Sequence, residues 1–162
     1  MGEQKQWHFC QQCSVMFFGG KNRDAGFCVE PFTDDDNRHI AQGFEFTVTF
    51  VNADEEPNTQ MNWFFCRKCF GLFFVATGGD PGTCARDGGG HDSTGSLNFH
   101  LPHDIPVTQG NQRDWRFCHK CSLLYFGGNP GHCVKGGSHE QINSFDFVLP
   151  LGGEFIPKQF TL

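Results

Sequence analysis

Cys118-His-Lys-Cys121 opens a stretch that runs through Gly131-His-Cys133 and ends, past a Gly-Gly pair, at His139. Three thiols and one imidazole make a closed tetrahedral zinc donor set, with sulfur at about 2.3 Å and nitrogen at about 2.0–2.1 Å. The two-residue spacer lets both sulfurs of the pair reach one ion from a single tight turn. The same set recurs as Cys66, Cys69, Cys84 and His91, and again as Cys10, Cys13, Cys28 and His39. All 9 cysteines are thereby used, three to a copy. Disulfides consume cysteines in twos, so they would leave one thiol over in each copy or force pairs between copies. Free buried thiols would give no reason for Cys-x-x-Cys in every copy. The expectation is three structural Zn2+ ions per chain.

The copies differ in one respect. His91 and His139 follow their third cysteine by seven and six residues, whereas His39 follows Cys28 by eleven, across the acidic insertion Thr33–Asp36. Either His39 folds back onto the first site or Asp36 or another carboxylate replaces it. The remaining histidines (His8, His100, His103, His119 and His132) lack counterparts in the other copies and are expected on the surface or in loops. His100 and His103, at one strand end, could take an additional ion adventitiously.

The elements that position these donors also repeat. The copies begin at Trp7 (WHFCQQCSVMFFGG), Trp63 (WFFCRKCFGLFFVATGG) and Trp115 (WRFCHKCSLLYFGG), 56 and 52 residues apart. Each contains a Gly-x-Cys (Gly26–Cys28, Gly82–Cys84, Gly131–Cys133). Each closes on an alternating apolar stretch beginning at Phe44, Leu97 or Phe145. Alternation implies strands with one buried face. The glycines are expected to relieve the backbone where amides approach the sulfurs.

Phe, at 20 residues, equals Leu, Ile and Val together, and 21 Gly and 8 Pro interrupt every candidate helix. Bulky aromatics and frequent turns favour an all-β chain. Four strands per copy are expected: Trp-x-Phe-Cys, the run after the cysteine pair, Gly-x-Cys and the closing stretch. Three four-stranded repeats, at about 7–56, 63–108 and 115–160, would form a single domain over 1–162 with pseudo-threefold symmetry. The expected architecture is a β-trefoil, with a three-sheet β-prism as the alternative, each repeat carrying a zinc-ribbon-like Cys3His site. The joins Thr49–Asn62 and Pro102–Asp114 leave strongly apolar strands that one small ribbon could not cover. A shared core lined by Trp7, Trp63, Trp115 and the closing strands is therefore expected over independent beads.

A net charge of −6 without a Lys/Arg run disfavours nucleic acid, whose binding draws on phosphate neutralisation, and acidic membranes likewise. No apolar run is long enough to span a bilayer. The N-terminus lacks the basic start and apolar centre of a secretory signal, and position 6 is Gln where myristoylation wants Ser or Thr. A soluble protein, cytoplasmic or released without a recognisable signal peptide, is expected.

The string W-x-x-C-x-x-C-x-x-L-F-F-G-G … G-x-C-x-x-G-G-x-H resembles tandem repeats of bacterial and fungal proteins, found alone or attached to secreted hydrolases. The resemblance covers Trp7 to about Leu149 and implies an accessory binding or effector module. Copy one departs from it most, through the long Cys28-to-His39 gap.

The leading functional expectation is a non-enzymatic, lectin-like protein recognising carbohydrate or a cell-surface glycoprotein receptor. Threefold architectures often present equivalent pockets, and the turns Asp80–Gly82, Asp87–Gly90 and Asn129–Gly131 offer polar groups suited to sugar hydroxyls. A toxin or defence protein, for instance insecticidal, acting after receptor binding is the alternative. A metal-dependent hydrolase is the second alternative. It needs an open metal position, and the chain has no G-x-S-x-G, H-E-x-x-H or H-x-E … P-C-x-x-C pattern.

Overall fold

A computed structural model of the chain describes residues 2–20, 24–31, 36–50 and 57–160. It is all-β, with nine strands among the described residues. They are β1 (Gly2–Cys10), β2 (Met16–Phe18), β3 (Ala41–Phe50), β4 (Thr59–Phe65), β5 (Leu72–Phe74), β6 (Phe99–Pro102), β7 (Asn111–Phe117), β8 (Leu124–Phe126) and β9 (Phe147–Pro150). None of the described residues forms a helix long and apolar enough to cross a membrane.

Each repeat contributes three strands in the order second–first–third: β2-β1-β3, β5-β4-β6 and β8-β7-β9. The second strand forms an antiparallel hairpin with the first, through the turn that carries the cysteine pair. The third returns to pair with the first strand's other edge. Pairing of Thr49 with His100 and Phe50 with Phe99 joins the first two repeats into a six-stranded sheet. The third repeat forms its own sheet and meets the others through the bridges Phe46–Leu151 and His103–Phe147. The three short second strands also meet pairwise, at Phe17–Gly71, Phe73–Leu123 and Val15–Tyr125.

Every first strand carries the same irregularity. Its register slips between Gln4 and Trp7, Gln60 and Trp63, and Gln112 and Trp115. The residue before each tryptophan (Gln6, Asn62, Asp114) takes a left-handed conformation at the slip, with φ of 73°, 73° and 77°, as the first residue of a G1 bulge does. Each indole is fully buried, and its N–H donates at 3.0 Å to the glutamine three residues earlier. A buried indole needs such a partner.

Packing links the repeats in cyclic order. Trp7 lies against Phe99 of the second repeat, Trp63 against Phe147 of the third, and Trp115 against Phe46 of the first, with ring centroids 5.4, 5.3 and 5.2 Å apart. These rings form one core cluster. A second gathers the cysteines with Val15, Phe17, Phe73, Leu123 and Tyr125.

Several expectations are corrected. Among the described residues each repeat has three strands, not four, because the Gly-x-Cys segments are held by loop contacts to a neighbouring repeat instead of a ladder. His8 and His100 are buried, at 1% and 3% exposure. His8 sits on β1 beside Phe17, and His100 lies on β6 between β3 and β4. His119 and His132 are exposed, as expected. Phe44, Leu97 and Phe145, the first apolar residues of the closing stretches, lie outside the core. Most of the acidic insertion (32–35) and of the Thr49–Asn62 join (51–56) falls outside the described residues.

Phe147→Ala removes the ring that Trp63 of another repeat packs on, a truncation that costs about 3–5 kcal/mol in a core. The whole chain is expected to melt earlier in one transition by circular dichroism. Loss of the third repeat alone, with the first two melting unchanged, would contradict the shared packing.

Candidate metal centres

Each cysteine pair occupies a knuckle between the first and second strands. Within it Ser14 N–H donates to Cys10 C=O, Phe70 to Cys66 and Ser122 to Cys118, at 2.7–2.8 Å. The residue after the second cysteine takes a left-handed conformation (φ 70°, 70° and 72° at Ser14, Phe70 and Ser122), which turns the chain into the next strand. The third cysteine and the histidine arrive from the long connection to the third strand.

The structure brings together Cys10, Cys13, Cys28 and His39; Cys66, Cys69, Cys84 and His91; and Cys118, Cys121, Cys133 and His139. All twelve residues are buried, and within each group the donor atoms lie within 4.8 Å of one another. Zinc–ligand lengths set a test of fit. A regular tetrahedron with those lengths places two sulfurs about 3.8 Å apart and a sulfur and an imidazole nitrogen about 3.6 Å apart. The observed first-to-third cysteine separations are 3.8, 4.0 and 4.0 Å. The second cysteine lies 3.5, 3.6 and 3.5 Å from the histidine Nδ1. The three groups fit three structural zinc ions.

His39 joins the first group despite its long spacing. Asp36, the alternative donor, is instead paired with Arg38 at 3.2 Å. His103, considered for an additional ion, has its Nδ1 2.9 Å from the Asp104 carboxylate.

The imidazole tautomer follows from the other ring nitrogen. Nε2 of His39, His91 and His139 lies 2.9, 2.9 and 3.0 Å from the carbonyls of Cys69, Cys121 and Cys13. A carbonyl can only accept, so Nε2 carries the proton and Nδ1 keeps its lone pair for the metal. Phe17, Phe73 and Tyr125 stack on these imidazoles at 4.8, 4.9 and 5.0 Å and fix the ring planes.

One thiol in each group is held strongly down while burial and the neighbouring thiols push Cys13, Cys69 and Cys121 up, so one negative charge faces each centre. Hydrogen bonds from Cys69 and Cys84 drive the Cys66 thiol far below its ordinary range, and Cys121 and Cys133 do the same for Cys118. Burial alone pushes the His91 imidazole down, but the hydrogen bonds and charge of Cys66 and Cys84 carry it up to about 9. His139 is likewise raised to about 9 by Cys118 and Cys133, against burial. Backbone N–H groups of Glu30, Asp92 and Lys135 donate to Cys28, Cys66 and Cys133 sulfurs at 3.4, 3.4 and 3.5 Å, which supports thiolate character.

The glycines of Gly-x-Cys serve a different contact from the one expected. A Cβ at Gly26 would collide with the carbonyl oxygen of Cys69, one at Gly82 with that of Cys121, and one at Gly131 with that of Cys13. Their φ values of 74°, 81° and 57° add a second reason for glycine. Each segment therefore presses directly on the knuckle of the next repeat. Two further sets escaped the sequence reading. The tryptophan-anchoring glutamines are legible in hindsight as Gln-x-x-Trp in all three copies. The imidazole-stacking aromatics each lie four residues after the second cysteine of the pair. The chain matches no protein-family model, no curated protein and no solved structure.

Gly82→Ala tests the inter-repeat contact, and Gly88→Ala is its control. Both positions have positive φ (81° and 78°), but only Gly82 faces a neighbouring carbonyl, and Gly88 has nothing within 4 Å. The left-handed strain common to both is about 1 kcal/mol. Gly82→Ala is expected to destabilise by at least about 2 kcal/mol more than Gly88→Ala, in the range of severe backbone lesions. It should also speed zinc release to a chromogenic chelator. Equal effects would show that the close approach carries no energy.

Proposed function

We propose that this chain is a zinc-stabilised, non-enzymatic binding protein with lectin-like recognition of carbohydrate or of a cell-surface glycoprotein. The observation that carries this reading is the closure of all three metal groups. Each offers four buried protein donors, and each imidazole is held through its second nitrogen. A catalytic zinc keeps a position for water or substrate. Sites built this way serve the scaffold, with Cys10, Cys13, Cys28, His39 and their counterparts as ligands.

The reading also takes residues 1–162 as a single domain of three repeats. Three three-stranded units joined cyclically favour the three-sheet, prism-like alternative over a twelve-stranded β-trefoil. Such a scaffold repeats its surface three times, and weak sites so repeated gain by avidity on a multivalent glycan.

Cobalt substitution with a glycan array tests both halves. The cobalt protein should show thiolate charge-transfer and tetrahedral bands that azide does not change, and the zinc protein should bind glycans on the array. An azide-sensitive spectrum would open a site for catalysis and contradict the non-enzymatic reading. A silent array would contradict recognition of carbohydrate.

A further inference from the structure

Phe44, Leu97 and Phe145 occupy the same place in the three copies and are exposed to nearly the same degree, 41%, 41% and 42%. Each lies two residues before the phenylalanine that packs on another repeat's tryptophan, so each marks the mouth of a seam between repeats. Among the described residues, cavities line two of these seams.

The seam between the third and first repeats encloses about 250 Å³. Trp115 and Phe46 lie deepest, and Phe44 and Phe155 stand edge to face at the mouth, 5.3 Å apart. The C-terminal segment delivers Phe155 by pairing Ile156 with Gly43. Gln42, Gln112 and Asn129 supply the polar lining. The seam between the second and third repeats encloses about 210 Å³, with Phe145 and Phe147 on one side and Gln60, Asn143 and Ser144 as its polar groups. Gln112 and Gln60 are equivalent, each anchored through its oxygen on a buried indole. The first-to-second seam is built differently. Leu97 replaces the ring, and Phe70, where the other copies have Ser14 and Ser122, packs on Phe65 at 5.0 Å.

The linings select the ligand chemistry. Neither cavity is lined by Asp, Glu, Lys or Arg, on a chain with 12 basic and 18 acidic residues. An ionic ligand would find no counter-charge there and would lose hydration. A wholly apolar ligand would leave the amides without partners. A neutral ring with an apolar C–H face and a hydroxyl rim meets both needs, because the negative face of an aromatic ring attracts polarised C–H groups. Both volumes fall below the roughly 300–1,000 Å³ of pockets for drug-sized ligands, so each suits a single ring.

We propose that these two seam cavities are binding sites for neutral pyranose sugars, an assignment that rests on the carbohydrate reading and gives it a location. It keeps Asn129 of the Asn129–Gly131 turn in the first site and leaves the turns Asp80–Gly82 and Asp87–Gly90 outside both linings. Asp80 is used by the Gly82 N–H at 2.8 Å, and Asp87 by Lys68 and the Gly89 N–H.

The test is saturation-transfer NMR on the full, zinc-loaded chain. The probes are methyl glycosides of glucose, galactose, mannose and N-acetylglucosamine, with glucose 6-phosphate and N-acetylphenylalaninamide as comparators. Phe44→Ala, Phe155→Ala and Phe145→Ala alter exposed rings, and unchanged zinc content and melting temperature verify that each variant folds. At least one neutral glycoside should bind, and the Phe44→Ala/Phe145→Ala double variant should bind it about tenfold more weakly. Glycoside binding that is indifferent to these variants would overturn the seam assignment and leave the carbohydrate reading standing. Preference for the phosphorylated sugar or for N-acetylphenylalaninamide would overturn the assignment too. Binding of no glycoside by any form, together with a silent glycan array, would remove both.

Discussion

The hydrogen bond from each ligand histidine to a cysteine carbonyl in another repeat acts on two sites at once. It fixes the imidazole so that Nδ1 faces its own cluster, and it holds the knuckle that carries two donors of the next. His39 reaches Cys69, His91 reaches Cys121 and His139 reaches Cys13, so the chain of contacts closes on itself. Hydrogen bonds from Phe18, Phe74 and Phe126 to the residue after the next repeat's second cysteine run in the same cyclic sense. The Gly-x-Cys segments press on those same knuckles. No metal group is complete in orientation without its neighbour.

The rest of the structure is consistent with that dependence. Strands of three or four residues, such as β2, β5 and β8, form only a few ladder bonds. Each repeat also needs rings from another to cover its tryptophan. Structural zinc in small finger peptides contributes about 10–16 kcal/mol of apparent binding energy, comparable to or larger than the roughly 5–15 kcal/mol net stability of a whole domain. The tryptophan layer and the metal layer therefore share the work, one by burial and the other by cross-linking loops.

Much of this was legible because the donors and the large rings repeat. The Cys-x-x-Cys, third cysteine and histidine of each copy identify the groups that the structure assembles, including His39 across its long spacing. What escaped depends on neighbours that a linear reading cannot place. Gly-x-Cys reads as a strand until its contact with another repeat's carbonyl is visible. His8 and His100 look like surface histidines because they have no counterparts, yet strand position buries them. Phe44, Leu97 and Phe145 continue the period-two pattern of the core, but the seams end before them.

The central claim, that the three metal groups form one closed unit, is tested most directly by native mass spectrometry during slow chelation. The cyclic arrangement predicts that the three-zinc protein gives way to the zinc-free protein with little one- or two-zinc species between, and that unfolding accompanies the loss. Independent sites would instead release zinc in sequence, with folded one- and two-zinc species dominating midway, and that result would contradict the account.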